Sequence, residues 1–155
     1  MPIARTICLA VLLASSGDAQ TVTMKPEEVS AGRRAAYYLS GGLVSEMQSS
    51  VEHGADPKRE VFGANVVANW ARVLPMMFPP GTDVPPTHAN PNVWTDRAGF
   101  EAKAATYADA AAKLADVAQA GDRAAFLAQM QVTRAACAAC HQVYHRQEQP
   151  TDGKK

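Results

Sequence analysis

This chain of 155 residues is short of several things at once, and each shortage closes off a class of protein. It has three cysteines, one of which, Cys8, lies inside an N-terminal apolar run, so no disulfide framework can be built. Fifteen Lys and Arg are matched by fifteen Asp and Glu. A chain without net charge offers no basic footprint for nucleic acid and no strong field for steering a charged partner. No stretch reaches the ~18 apolar residues of a membrane span. No run alternates apolar and polar residues with period two, so no βαβ unit is expected. After Cys8 there is one C-x-x-C pair and no second one.

That pair is the most informative feature. Cys137-Ala138-Ala139-Cys140-His141 is a C-x-x-C-H box, the attachment signature of a c-type haem. On a helix, two thiols three positions apart share a face and can add to the two vinyl groups of one porphyrin. His141 follows over the same face, so its imidazole can reach the iron as the axial ligand. A thioredoxin-like disulfide would want a βαβ setting, which is missing. A zinc site would have to use Cys137, Cys140, His141 and His145. On one straight helix the outer two lie about 12 Å apart, too far to close a tetrahedral shell.

The N-terminus agrees with a haem attached outside the cytoplasm. Arg5 supplies a positive charge, Ile7 to Ala14 form a short apolar run, and Gly17-Asp18-Ala19 offers a small-x-small cleavage site. Residues 1–19 therefore read as a cleaved secretory signal and 20–155 as one domain beginning at Gln20. The expected location is the periplasm, with no membrane span in the mature chain.

Caps and periodicity predict an all-α chain of four helices. The first starts at Pro26, with Glu27 and Glu28 in its favourable first turn, and runs to about Gly54. Asp56-Pro57 opens the second, which ends near Leu74-Pro75. A long loop from Phe78 to about Val93 follows. The third helix begins around Trp94 to Asp96 and ends at Gly121. The fourth is capped by Asp122 and runs to about Gln149. Apolar residues recur in steps of four and three: Phe100, Ala104, Tyr107, Ala111, Leu114 and Ala118, then Phe126, Met130, Thr133, Cys137, Cys140 and Tyr144. That is the pattern of an antiparallel four-helix bundle, with a covalently bound haem on its inward stripe.

The chain resembles the cytochromes c′ over nearly all of its mature length. The resemblance rests on Pro26-Glu27-Glu28 with Arg33 and Tyr37, and on Leu74-Pro75, Phe78 and Pro80-Gly81-Thr82-Asp83. It continues through Pro91-x-x-Trp94-x-Asp96 with Phe100, and ends at the haem box with Tyr144. It implies one covalent haem c with high-spin, five-coordinate iron, whose sixth side is covered by a residue of the first helix. That position falls on Tyr37, with Tyr38 the competitor if the register slips by one. Arg33 falls on the residue that approaches a haem propionate. Phe78 and Trp94 are expected to pack in the core and at the haem edge. Where the family usually has Arg or Lys beside the axial imidazole, this chain has His145, followed by Arg146.

The resemblance also implies binding of nitric oxide and carbon monoxide, electron transfer with a redox partner, and a homodimer formed through the first two helices. The alternative is a six-coordinate, low-spin electron carrier of the same fold, which would place Met at Tyr37. Met24 and Met47 do not match that position. No His on the first helix offers the polar acid–base pair that catalysis would need, so an enzyme is not expected. Gly41-Gly42 suggests a close approach of haem or of another helix, Trp70 reads as core or a subunit contact, and His53 and His88 read as exposed.

Overall fold

The computed structural model describes residues 23–146; the expected signal at 1–19 lies outside them. Helix α1 spans Pro26–Glu52, α2 Val61–Val73, α3 the single turn Asn92–Thr95, α4 Arg97–Ala120 and α5 Arg123–Tyr144. The four long helices form the bundle. Among the described residues there is no strand, only an isolated antiparallel bridge between Ala89 and His145.

Helices α1, α4 and α5 begin where the sequence provides for their unpaired amide groups. The Lys25 amide donates to Glu28 Oε2 (2.9 Å) with Pro26 at the first helical position. Asp96 accepts from the Gly99 amide at the head of α4, and Asp122 from Ala125 at the head of α5. Between them Gly121 takes φ +79°, the left-handed conformation that ends α4, so the hairpin turns in two residues. The second helix differs from expectation. Asp56-Pro57 opens a 3₁₀ turn, Pro57–Glu60, before α2 begins at Val61, and a second such turn, Leu74–Met77, follows α2.

The predicted stripe is the observed core. Phe100, Ala104, Ala111, Leu114 and Ala118 of α4 and Phe126, Met130 and Thr133 of α5 are all buried, against Met47, Val51, Ala64, Val67 and Ala71. Burying each large member contributes about 1.5–3 kcal/mol. The alanines let α2, α4 and α5 approach closely, and Thr133 satisfies its hydroxyl on the carbonyls of Gln129 and Ala110.

The crossover loop, residues 78–91, is tied down from both sides. Arg97 donates to the carbonyls of Pro75 and Phe78. Ser30 donates to the Val84 carbonyl. On the far side the fourth helix stops at Tyr144 rather than Gln149. His145 is extended (φ −104°, ψ 135°), and the chain pairs with the loop through Asn90 N to Tyr144 O (2.8 Å) and Arg146 N to His88 O (2.7 Å). These bonds outcompete another helical turn because they satisfy backbone groups on both segments.

Candidate haem site

Cys137 and Cys140 lie on the face of α5 turned toward α1 and α2, both half-buried and neither in a disulfide. Burial pushes both thiols above their ordinary range, although the Tyr107 hydroxyl bonded to Cys137 opposes this. Redox-active C-x-x-C pairs need the reverse, a depressed pKa, so a disulfide-exchange role finds no support in this environment.

Two cavities of about 330 Å³ each meet at three shared residues, Tyr37, Cys140 and His141. The first extends past Arg33, Phe78, Thr87, His88 and His145. The second extends past Gly41, Trp70, Tyr107 and Cys137. His141 is exposed toward this space. Its pKa is lowered by desolvation and then by neighbouring His145, so the ring is neutral near pH 7. Across from it stands Tyr37, with the ring centroids 6.4 Å apart.

On α1, Tyr37 packs edge-on against Trp70 (5.4 Å) and Phe78 (6.4 Å), whereas Tyr38, at the rim of the first cavity, is 67% exposed and bonds Arg34. Burial, with the nearby thiols and Tyr107 adding to it, raises the Tyr37 phenol far above its usual range, so it is neutral and a poor metal ligand. Neither cavity is lined by a methionine.

Arg33 is one helical turn before Tyr37 and 2% exposed. Its guanidinium donates to Thr82 Oγ1 (2.8 Å), Thr82 O (2.6 Å), Thr87 Oγ1 (2.8 Å) and Met77 O (3.4 Å), and lies over Phe78. Desolvation lowers its pKa, yet a guanidinium stays charged. No carboxylate pairs with it among the described residues. A buried cation held by neutral acceptors at a cavity wall suits an anionic group there.

Several expectations are corrected. Trp94 lines neither cavity. It packs behind Phe78 (6.0 Å), and its indole donates to Pro79 O (3.0 Å). His88 is half-buried, not exposed: its ring stacks on His145 (5.8 Å), which in turn meets His141 (5.3 Å). His145 thus leaves the helix yet keeps its place beside the imidazole. Arg146 does not substitute for it, being turned to Asp83 (2.8 Å) and Ala89 O. A side chain at Gly41 or Gly42 would meet no protein atom within 4 Å, so no helix approaches there. His53 is exposed as expected.

The family model described as Cytochrome C′ matches residues 28–145. The chain belongs to the cytochrome c′ family. A cytochrome c′ of Rhodospirillum rubrum is 34% identical over 91 residues, 58% of this chain and 62% of that one. That of Alcaligenes xylosoxydans xylosoxydans is 32% identical over 126 residues, 80% of this chain and 98% of its own. Among solved structures, a variant cytochrome c′ of Alcaligenes xylosoxidans in complex with nitric oxide gives a TM-score of 0.75 at 28% identity, over 82% of this chain and 100% of that one. A second variant of it holds carbon monoxide. A cytochrome c′ with ligand-controlled dimer dissociation gives 0.76 at 27% identity, over 81% and 100%.

Cytochromes c′ bind a covalent haem c, and the residues here fit that group. Two thiols and a neutral imidazole share one face, two adjoining cavities open beside them, and a buried guanidinium paired with no carboxylate among the described residues stands at one end. Gly99 went unnoticed in the sequence. A Cβ there would collide with Asp96 and the Tyr144 hydroxyl, which bond each other at 2.7 Å and lock α5 to the head of α4.

Proposed function

We propose that this cytochrome c′ is an exported, high-spin monohaem protein that binds diatomic gases and exchanges electrons. Cys137 and Cys140 would hold the haem covalently, and His141 would bind its iron. The haem would supply an iron able to take a small ligand. The observation that carries the reading is Tyr37, a neutral phenol ring facing His141 where an electron carrier would need methionine.

Tyr37 occupies the space a small ligand would take and moves aside to admit one. Arg33 holds the crossover loop and neutralises a carboxylate at the first cavity. Phe78 shields that end from water, while His145, backed by His88, fixes the orientation of the His141 ring. This is binding and electron transfer rather than enzymatic turnover. Nitric oxide and carbon monoxide complexes of the Alcaligenes relative support gas binding.

We also assign residues 1–19 to a cleaved export signal, 20–155 to the mature domain and the location to the periplasm. No helix among the described residues is long and apolar enough to cross a membrane. A homodimer through α1 and α2 is supported by the apolar surface they expose: Leu39 is 71% and Phe62 79% accessible, with Val66 and Val73 on the same stripe as Phe62.

The test is an absorption spectrum of the purified ferrous protein with and without carbon monoxide. A broad high-spin spectrum that sharpens on adding the gas is expected. A sharp low-spin α-band without added ligand would establish the six-coordinate carrier instead.

A further inference from the structure

Beside the second cavity, where the Tyr37 ring packs on Trp70, lies an unexplained polar atom. Trp70 Nε1 is buried and has no hydrogen-bond partner, the one such side-chain atom among the described residues. An indole N–H shut away from water without a partner is costly, and natural structures rarely tolerate it without a reason. Trp70 lines the second cavity together with Tyr37, Cys140 and His141, and the Tyr37 ring stands edge-on against it at 5.4 Å.

Three other donors on that wall are committed. Ser40 donates to the Tyr37 carbonyl, Arg134 to Gln48, and the Tyr107 hydroxyl is bonded to Cys137. The Trp70 N–H is not. Nor does Trp70 border the first cavity, where the buried charge of Arg33 marks the place for a carboxylate. Arg33 can take a carboxylate in the first cavity, whereas Trp70 borders the space that opens when Tyr37 moves.

We propose that the Trp70 indole N–H donates a hydrogen bond to the diatomic ligand that replaces Tyr37, making Trp70 a specificity-determining residue of the distal pocket. The proposal rests on the gas-binding reading above. The unsatisfied donor raises the energy of the closed pocket, so its satisfaction on opening offsets part of the cost of moving Tyr37. It also ranks ligands. One whose outer atom gathers negative charge gains more from the donor than one that stays nearly neutral.

The experiment compares wild type with Trp70→Phe, which keeps an aromatic ring and removes the N–H. In the variant the C–O stretch of the ferrous carbon monoxide complex should rise. Nitric oxide should dissociate about five- to tenfold faster, the worth of one hydrogen bond. Ultraviolet resonance Raman of the wild type gives a readout that needs no variant. The chain has two tryptophans, and Trp94 already donates to Pro79 O, so a change in the indole N–H band on adding carbon monoxide reports Trp70. A silent indole band with an unchanged stretch and dissociation rate overturns the proposal and leaves gas binding standing. A ferrous protein that binds no carbon monoxide overturns both.

Discussion

Replacing Tyr37 with alanine tests the distal gate directly. The ring is held closed by its edge contacts with Trp70 and Phe78, at 5.4 and 6.4 Å. Such aromatic pairs contribute about 0.5–1.5 kcal/mol each, so the two together hold the ring by roughly 1–3 kcal/mol. A site open only in the complementary fraction of time has its affinity reduced by that fraction. Tyr37→Ala should therefore speed carbon monoxide binding and tighten it by about fivefold to 150-fold. Tyr37→Phe, which keeps the ring, should stay near wild type, because the gate is steric and the phenol is neutral at any working pH. Tyr38→Ala should change nothing, since Tyr38 faces solvent. Stability should fall by about 2–4 kcal/mol in Tyr37→Ala, somewhat less than for a fully buried aromatic. The assay is stopped-flow mixing of the ferrous proteins with carbon monoxide. Acceleration in Tyr38→Ala with none in Tyr37→Ala would refute the placement of the ring. No response in either would refute the gate.

Wild-type haem should stay with the polypeptide through denaturing electrophoresis and acid–acetone extraction, and Cys137→Ala or Cys140→Ala should sharply lower the holoprotein yield, as haem staining would show. Arg33→Met should cost about 3 kcal/mol or more in urea unfolding, because three acceptors on the crossover loop and the Met77 carbonyl lose their donor, and Arg33→Lys should recover only part, since an ammonium cannot span them. Alkali should destabilise the fold. Tyr37 and Tyr107 are raised chiefly by burial, and Tyr144 is pushed up to about 12, mainly by its bond to Asp96. In the unfolded chain these phenols release protons near pH 10, so the native state binds more protons above that pH. Stability then falls as pH rises from about 10 toward 12, and Tyr144→Phe should make the fall shallower in pH-dependent thermal melts.

The features that proved legible in the sequence are local. A heptad stripe, an Asp cap, a left-handed Gly121 and a C-x-x-C-H box each act within a turn or two of helix. Arg33 and Tyr37 share a face for the same reason. What escaped depends on contacts distant in sequence. Nothing in the residues around His88 announces that its ring will stack on one 57 positions later. The end of α5 was misplaced because its helical tendency gives way to backbone bonds with the loop, which periodicity cannot register. Trp70 read as core or subunit contact because its aromatic bulk was legible and its lone N–H was not.

The hairpin of α4 and α5 turns in two residues and carries Cys137, Cys140 and His141, so it contains the thiols and the imidazole that would grip the cofactor. The opposite wall comes from α1 and the crossover loop, joined by side-chain bonds that reach across 49 and 54 positions. Such distant closures carry more loop entropy than a tight hairpin and are natural places for sub-global opening. Grip and cover thus belong to different cooperative units of one small domain. In the native ensemble the cover can melt and re-form while the grip persists. Amide protons in the first half of α1 and in the crossover loop then exchange well before those of α4 and α5.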